Sequence, residues 1–126
     1  MSDDKIKIFI SLPITGRVEE AMTMAKTAKE NLVKVFPSAE ICTPFEICDG
    51  ELDKPYHWYM GKDIEKLLQC QLAVQCPGWE ESKGCRCESA TADIYGIKRL
   101  SYDFIRQSTK DFTVPNLHLL KLILQN

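Results

Sequence analysis

The sequence predicts a doubly wound α/β sandwich of three layers, built on a mainly parallel sheet. Two observations point there. Short apolar runs alternate with longer stretches of helical periodicity, the pattern of a parallel sheet covered on both faces. The 126 residues make one ordinary domain, with no internal repeat, low-complexity tract or linker to mark a second. Right-handed crossovers would wind such a chain to both sides of its sheet, giving a flavodoxin- or Rossmann-like fold.

The elements follow in order. Lys5–Ser11 (KIKIFIS) alternates and then turns wholly apolar, as a strand entering a buried sheet does. Leu12 to Gly16 is a loop punctuated by Pro13 and Gly16. From Val18 to Phe36 the residues Val18, Ala21, Met22, Ala25, Ala28, Leu32 and Val35 recur at helical spacing, and Pro37 ends the helix. Ala39–Thr43 is a short second strand, and Pro44 to Pro55 a loop. His57–Gln69 is a helix with Met60, Ile64, Leu67 and Leu68 as its stripe, and Leu72–Cys76 is the third strand. A loop from Pro77 to Gly84 leads into a helix from about Cys85 to Gly96. Lys98–Tyr102 is the fourth strand, and Leu117–Leu124 a terminal helix whose leucines serve a core or a subunit interface.

The composition excludes several roles. A formal net charge of −2 leaves no electrostatic footprint for duplex DNA or RNA. The polar, acidic start Met1–Lys5 is no signal peptide, and no apolar run is long enough to cross a bilayer, so a cytoplasmic location is expected. Disulfides are then unexpected. Cys42, Cys48, Cys70, Cys76, Cys85 and Cys87 lack the paired spacing of zinc sites and read mostly as core thiols. His57 and His118 each stand alone. Neither a metal nor an organic cofactor is expected.

In an open α/β sheet ligands bind beyond the carboxyl ends of the strands, where the strand order switches. The loops after the first three strands should meet there. The first, Ser11-Leu12-Pro13-Ile14-Thr15-Gly16-Arg17, is a small-residue turn entering a helix, either suited to an anion with Arg17 as an added charge or using Pro13 and Gly16 simply to turn the chain. Asp63 lies three residues after Met60 and four before Leu67. It is either a carboxylate on the apolar stripe, which must find partners or shift its pKa upward, or a border residue beside Lys62 and Lys66. Glu88 is expected in the first turn of the helix that follows Gly84. The helix dipole would favour its ionised form there, as a nucleophile requires, although first-turn acids are common for helix stability alone. Trp79, an aromatic residue in a polar loop, either stacks on a base or packs on its own loop. Ser82 and Lys83 stand where a hydroxyl and a cation could hold a phosphate. Tyr56, Trp58 and Tyr59 form an aromatic group before Asp63, suited to walling a pocket, with core packing expected for at least one of them.

Three stretches carry a resemblance. They are Ile8–Gly16 (IFISLPITG), Lys62–Leu67 (KDIEKL), and Cys76–Gly84 (CPGWEESKG) followed by Glu88 and Ala92. Over roughly residues 6–102 the chain resembles a family of small bacterial and phage proteins of unassigned function. That family is similar to the nucleoside 2-deoxyribosyltransferases and the 2'-deoxynucleoside 5'-phosphate N-hydrolases.

The resemblance implies that Glu88 attacks the anomeric carbon of a nucleoside and forms a glycosyl-enzyme intermediate. Asp63 assists protonation of the leaving base. Ser82 corresponds to a phosphate-binding serine of the nucleotide hydrolases, which favours a monophosphate substrate. Phe9, Ser11, Pro13, Ile14, Thr15, Gly16, Arg17, Trp79 and Gly84 complete the expected substrate contacts. A homodimer or larger homo-oligomer is implied, because related enzymes complete their sites from a neighbouring subunit.

The sequence departs from the enzymes' pattern at Phe9, where they usually carry a tyrosine whose hydroxyl orients the nucleophile or the sugar. It departs again near Gln71, where a second acidic residue is often found. The expected activity is cleavage of an N-glycosidic bond, or deoxyribosyl transfer, on a nucleoside 5'-monophosphate or nucleoside. The alternative is a non-catalytic nucleotide-binding module that senses a metabolite, and Phe9 is the feature that favours it.

Overall fold

The computed structural model describes residues 6–124, so Lys5, at the head of the expected first strand, lies outside the described residues. Four strands form one sheet: β1 (Lys7–Ser11), β2 (Glu40–Cys42), β3 (Leu72–Gln75) and β4 (Lys98–Ser101). Their order is β2-β1-β3-β4, with every neighbouring pair parallel. The chain leaves β1 toward β2 and returns across β1 to reach β3. The switch in strand order therefore falls between β1 and β3, where Phe9 pairs with Ala73 and Ser11 with Gln75.

Alternation along the strands divides the core in two. Ile8 and Ile10 of β1, with Leu72 and Val74 of β3, face helix α1 (Val18–Val35). Ala21, Ala25, Ala28 and Leu32 of α1 pack on them, joined by Ile105 and by Leu119 and Ile123 of the terminal helix. Each of the larger buried side chains contributes about 1.5–3 kcal/mol by leaving water. The opposite face of the sheet carries Phe9 and Ala73, which pack with Leu67 and Cys70 beneath helix α3 (Tyr56–Leu67). Ser11 shares that face with Phe9, because side chains two residues apart on a strand point the same way.

The helical stripes differ from their sequence reading at the edges. Val18 and Met22 of α1 are exposed, as is Leu68, just past the end of α3. The segment after β2, expected as a loop, begins with a single-turn helix α2 (Pro44–Ile47). Thr43 caps it, accepting from the Glu46 backbone N–H, while the Glu46 carboxylate accepts from the Thr43 N–H. This Thr-Pro-Phe-Glu capping box is readable in the sequence.

Trp79–Glu81 forms one 3₁₀ turn before helix α4 (Lys83–Ile94). After β4 the connection is itself helical, with α5 (Tyr102–Ser108) capped by the Ser101 hydroxyl. Tyr102 therefore opens a helix and does not close the strand. The terminal helix α6 (Leu117–Leu124) lies where expected, with Leu119 and Ile123 buried and Leu122 half exposed. The side chains of Leu117, Leu120 and Leu124 lie outside what is described. No helix among the described residues is long and apolar enough to cross a membrane.

Candidate functional site

Three elements converge beyond the carboxyl end of β1. Ser11 is the last residue of that strand and is almost completely buried. Helix α3 presents Tyr56, Met60 and Asp63, spaced four and three residues apart and therefore on one face. Helix α4 brings Glu88, of which only 5% is exposed. The helix residues Tyr56, Met60, Asp63 and Glu88 line a cleft of about 300 Å3, together with Pro44, Phe45, Glu51 and Leu52 from the segment after β2. That volume lies at the small end of the range for small-molecule sites.

The start of α4 determines where Glu88 stands. The Ser82 hydroxyl accepts from the Cys85 backbone N–H at 3.2 Å and caps the helix, so the first helical residue is Lys83. Glu88 is thus the sixth residue of α4, in its second turn, and Gly84 lies inside the helix. The expectation of a first-turn carboxylate kept ionised by the helix dipole is corrected by this placement. The dipole's effect is confined to the terminal turn, and burial acts on Glu88 in the opposite sense.

The two carboxyls form a pair. Ser11 Oγ donates to Glu88 Oε1 at 2.7 Å, across 77 positions of sequence. The Asp63 carboxyl lies within hydrogen-bonding reach of Glu88. Loss of water raises both groups, Asp63 to about 7 and Glu88 to about 8. The negative charge of Asp63 raises Glu88 further, and the Ser11 hydroxyl opposes that rise. Two carboxyls this close titrate as one system, so the pair holds a single proton near neutral pH. One carboxylate and one carboxylic acid then face the same cleft. Asp63 is therefore the partnered, pKa-shifted carboxylate of the two readings its spacing allowed.

The walls are aromatic and close-fitting. A Cβ on Gly84 would lie 3.0 Å from the Tyr56 hydroxyl and 3.3 Å from Met60 Sδ, so α3 and α4 approach closely only because position 84 lacks a side chain. Burial and the charge of Glu88 raise the Tyr56 phenol above its ordinary value, which keeps it neutral. The Tyr59 hydroxyl donates to the Glu51 carbonyl at 3.0 Å and accepts from the Lys54 N–H at 3.2 Å, fastening the loop over the cleft. Cys85 also lines the cleft, its thiol in reach of the Ser11 and Ser82 hydroxyls.

Of the expected site residues, Ile14, Thr15, Asp63, Ser82, Gly84 and Glu88 line the cleft together, and Ser11 meets it through Glu88. Five stand elsewhere. Phe9 is wholly buried in the core under α3, so its missing hydroxyl is missing from the core, and the hydroxyl that reaches Glu88 is that of Ser11. Pro13 and Arg17 approach the turn at Gly78, where a Cβ would lie 3.5 Å from Pro13 Cγ and 3.9 Å from Arg17 Nη1. Gly78 has φ +88°, a conformation that suits glycine. Gly16 is exposed, and Trp79 is half-buried in the 3₁₀ turn; neither lines the cleft.

The lining residues missed in the sequence were Val18, Pro44, Phe45, Cys48, Glu51 and Leu52, together with Met60, read as part of a helical stripe, and Cys85, read as a core thiol. The capping box at Thr43 was the one local signal for part of that wall. Among the described residues, no Lys or Arg lines the cleft, so a bound phosphate would be held by hydroxyl and N–H donors. Among the same residues, no group of three His, Cys, Asp or Glu side chains is placed to hold a metal.

The chain belongs to the family described as Domain of unknown function (DUF4406), whose model matches residues 6–100. A comparison with curated proteins finds no match. The family match covers β1 to β3, both carboxyl-bearing helices and all but the last residue of β4, and ends before α5.

Proposed function

We propose that this DUF4406 chain cleaves the N-glycosidic bond of a nucleoside or nucleoside 5'-monophosphate through a covalent glycosyl-glutamate intermediate. The observation that carries the reading is the Asp63–Glu88 pair, half-buried Asp63 beside buried Glu88, lining one small cleft. Departure of a base leaves positive charge at the anomeric carbon and negative charge on the base nitrogen. A carboxylate answers the first and a carboxylic acid the second.

The proton of the pair, which Glu88 holds more tightly, first passes to Asp63; a carboxylate oxygen of Glu88 then attacks the anomeric carbon, and the C–N bond breaks with its electron pair leaving on the base. The Asp63 proton passes to that base. A water then attacks the same carbon, giving its proton to Asp63, and the bond to Glu88 breaks to release the sugar. If a second base replaces the water, the outcome is transfer. Tyr56 and Tyr59 offer aromatic surface to the base. The Ser82 hydroxyl accepts from Cys85 but keeps its own proton to donate. A 5'-phosphate near the first turn of α4 would use that donor and the free backbone N–H groups there.

The test is free-base release from a panel of ribo- and deoxyribonucleosides and their 5'-monophosphates, followed by chromatography. Release from at least one of them, abolished in Glu88→Ala, supports the reading. Silence across the panel with acceptor bases included would overturn it and favour a binding module.

A further inference from the structure

Ser11 is nearly inaccessible to solvent, and its hydroxyl has one proton to give. That proton is aimed at Glu88 Oε1 at 2.7 Å. The bond joins the end of the central strand to the second turn of α4, so both ends are held by packed elements and the carboxyl has little freedom to turn. A carboxyl with one oxygen fixed in this way presents the other in a set direction. The remaining titratable groups near Glu88 are Asp63 and Tyr56 from α3 and Cys85 from its own helix. None of these is a cation. With no positive charge beside it among the described residues, Glu88 has the Ser11 hydroxyl as the neighbour that favours its ionised form, against burial and the charge of Asp63.

We propose that Ser11 is the positioning residue of the pair: its hydroxyl holds Glu88 Oε1 and turns the second oxygen toward the cleft. This inference rests on the glycosidic reading for its kinetic consequence but not for its structural one. It gives the two carboxyls distinct roles, which burial alone does not, because burial acts on both in the same direction. Ser11 itself stays out of the cleft lining and acts through Glu88.

The experiment compares wild type, Ser11→Ala and Ser11→Cys by carboxyl NMR titration and by the pH dependence of base release. Alanine removes the donor with almost no change of volume, and cysteine restores a weak one. Loss of a hydrogen bond to a charged group should move the Glu88 midpoint up by about one pH unit in Ser11→Ala. Cysteine should fall between. The acidic limb of kcat should move up with the midpoint, kcat should fall about tenfold or more, and KM should change little.

An unmoved Glu88 midpoint in Ser11→Ala would overturn the proposal whatever the kinetics. So would a fall in turnover whose pH profile matches wild type. A midpoint that moves in a protein releasing no base from any nucleoside upholds the hold of Ser11 on Glu88 and overturns the glycosidic reading. The two failures are therefore told apart.

Discussion

At the scale of single residues, the Asp63–Glu88 pair sets the behaviour of the site, and its pH dependence has a definite sign. Below about 7 both carboxyls are protonated and no nucleophile is present; above about 8 both are ionised and no acid remains. Base release should therefore follow a bell-shaped profile with its maximum between those values, measured as kcat/KM across pH 5–10. The same shifts bear on stability. Burial raises the folded-state value of Glu88 above its ordinary one, so the folded protein binds the proton more tightly than the unfolded chain. Stability is then greatest at low pH and falls as pH rises toward about 8. Glu88→Gln removes the ionisable group while keeping its shape. Its Tm at pH 9 should exceed that of wild type by several degrees, on the order of 2 kcal/mol, with turnover lost. Equal or lower stability at pH 9 would mean that the carboxyl is not strained by burial.

At the scale of elements, the fit between α3 and α4 shapes the cleft. Alanine normally favours a helix over glycine by up to about 1 kcal/mol. At Gly84 the added methyl would meet the Tyr56 hydroxyl at 3.0 Å and displace it. Gly84→Ala should leave Tm within about 2 °C of wild type, because the helix gain offsets the contact. Its KM should rise several-fold, because Tyr56 walls the site. A variant with unchanged KM would place Tyr56 outside substrate contact. The cap at Ser82 belongs to the same scale. By starting α4 at Lys83 it sets the helical phase that turns Glu88 toward Ser11 and Asp63.

At the scale of the whole molecule, the sheet order brings β1, α3 and α4 to one crevice. The rim of that crevice carries Val18, Leu52 and Tyr56, each more than half exposed. Such a rim suits a second copy of the chain, and sedimentation velocity at micromolar concentration should show a dimer or larger species. A single monomeric species would mean that one chain builds the whole site.

Much of this level was legible in the sequence, since alternating strand and helix periodicities compel a covered parallel sheet. The neighbourhood of Asp63 and Glu88 was legible too, through their helical positions and the family resemblance. The turn that Glu88 occupies was not, because Ser82 reads as part of a loop unless its capping bond is known. The place of Phe9 was hidden for another reason: strand alternation gives a face of the sheet but not the depth along it. The far wall of the cleft comes from the segment after β2, where distance in sequence hides nearness in space.

The glycosidic mechanism stands or falls on a covalent bond between Glu88 and a sugar. Intact-protein and peptide mass spectrometry can detect that bond after incubation with 2'-fluoro nucleosides and their monophosphates, whose fluorine slows breakdown of the intermediate. Free base should be released, with a mass gain equal to the bound sugar, located on Glu88 and absent from Glu88→Gln. Release of base with no adduct on Glu88, or an adduct on another residue, would contradict the mechanism.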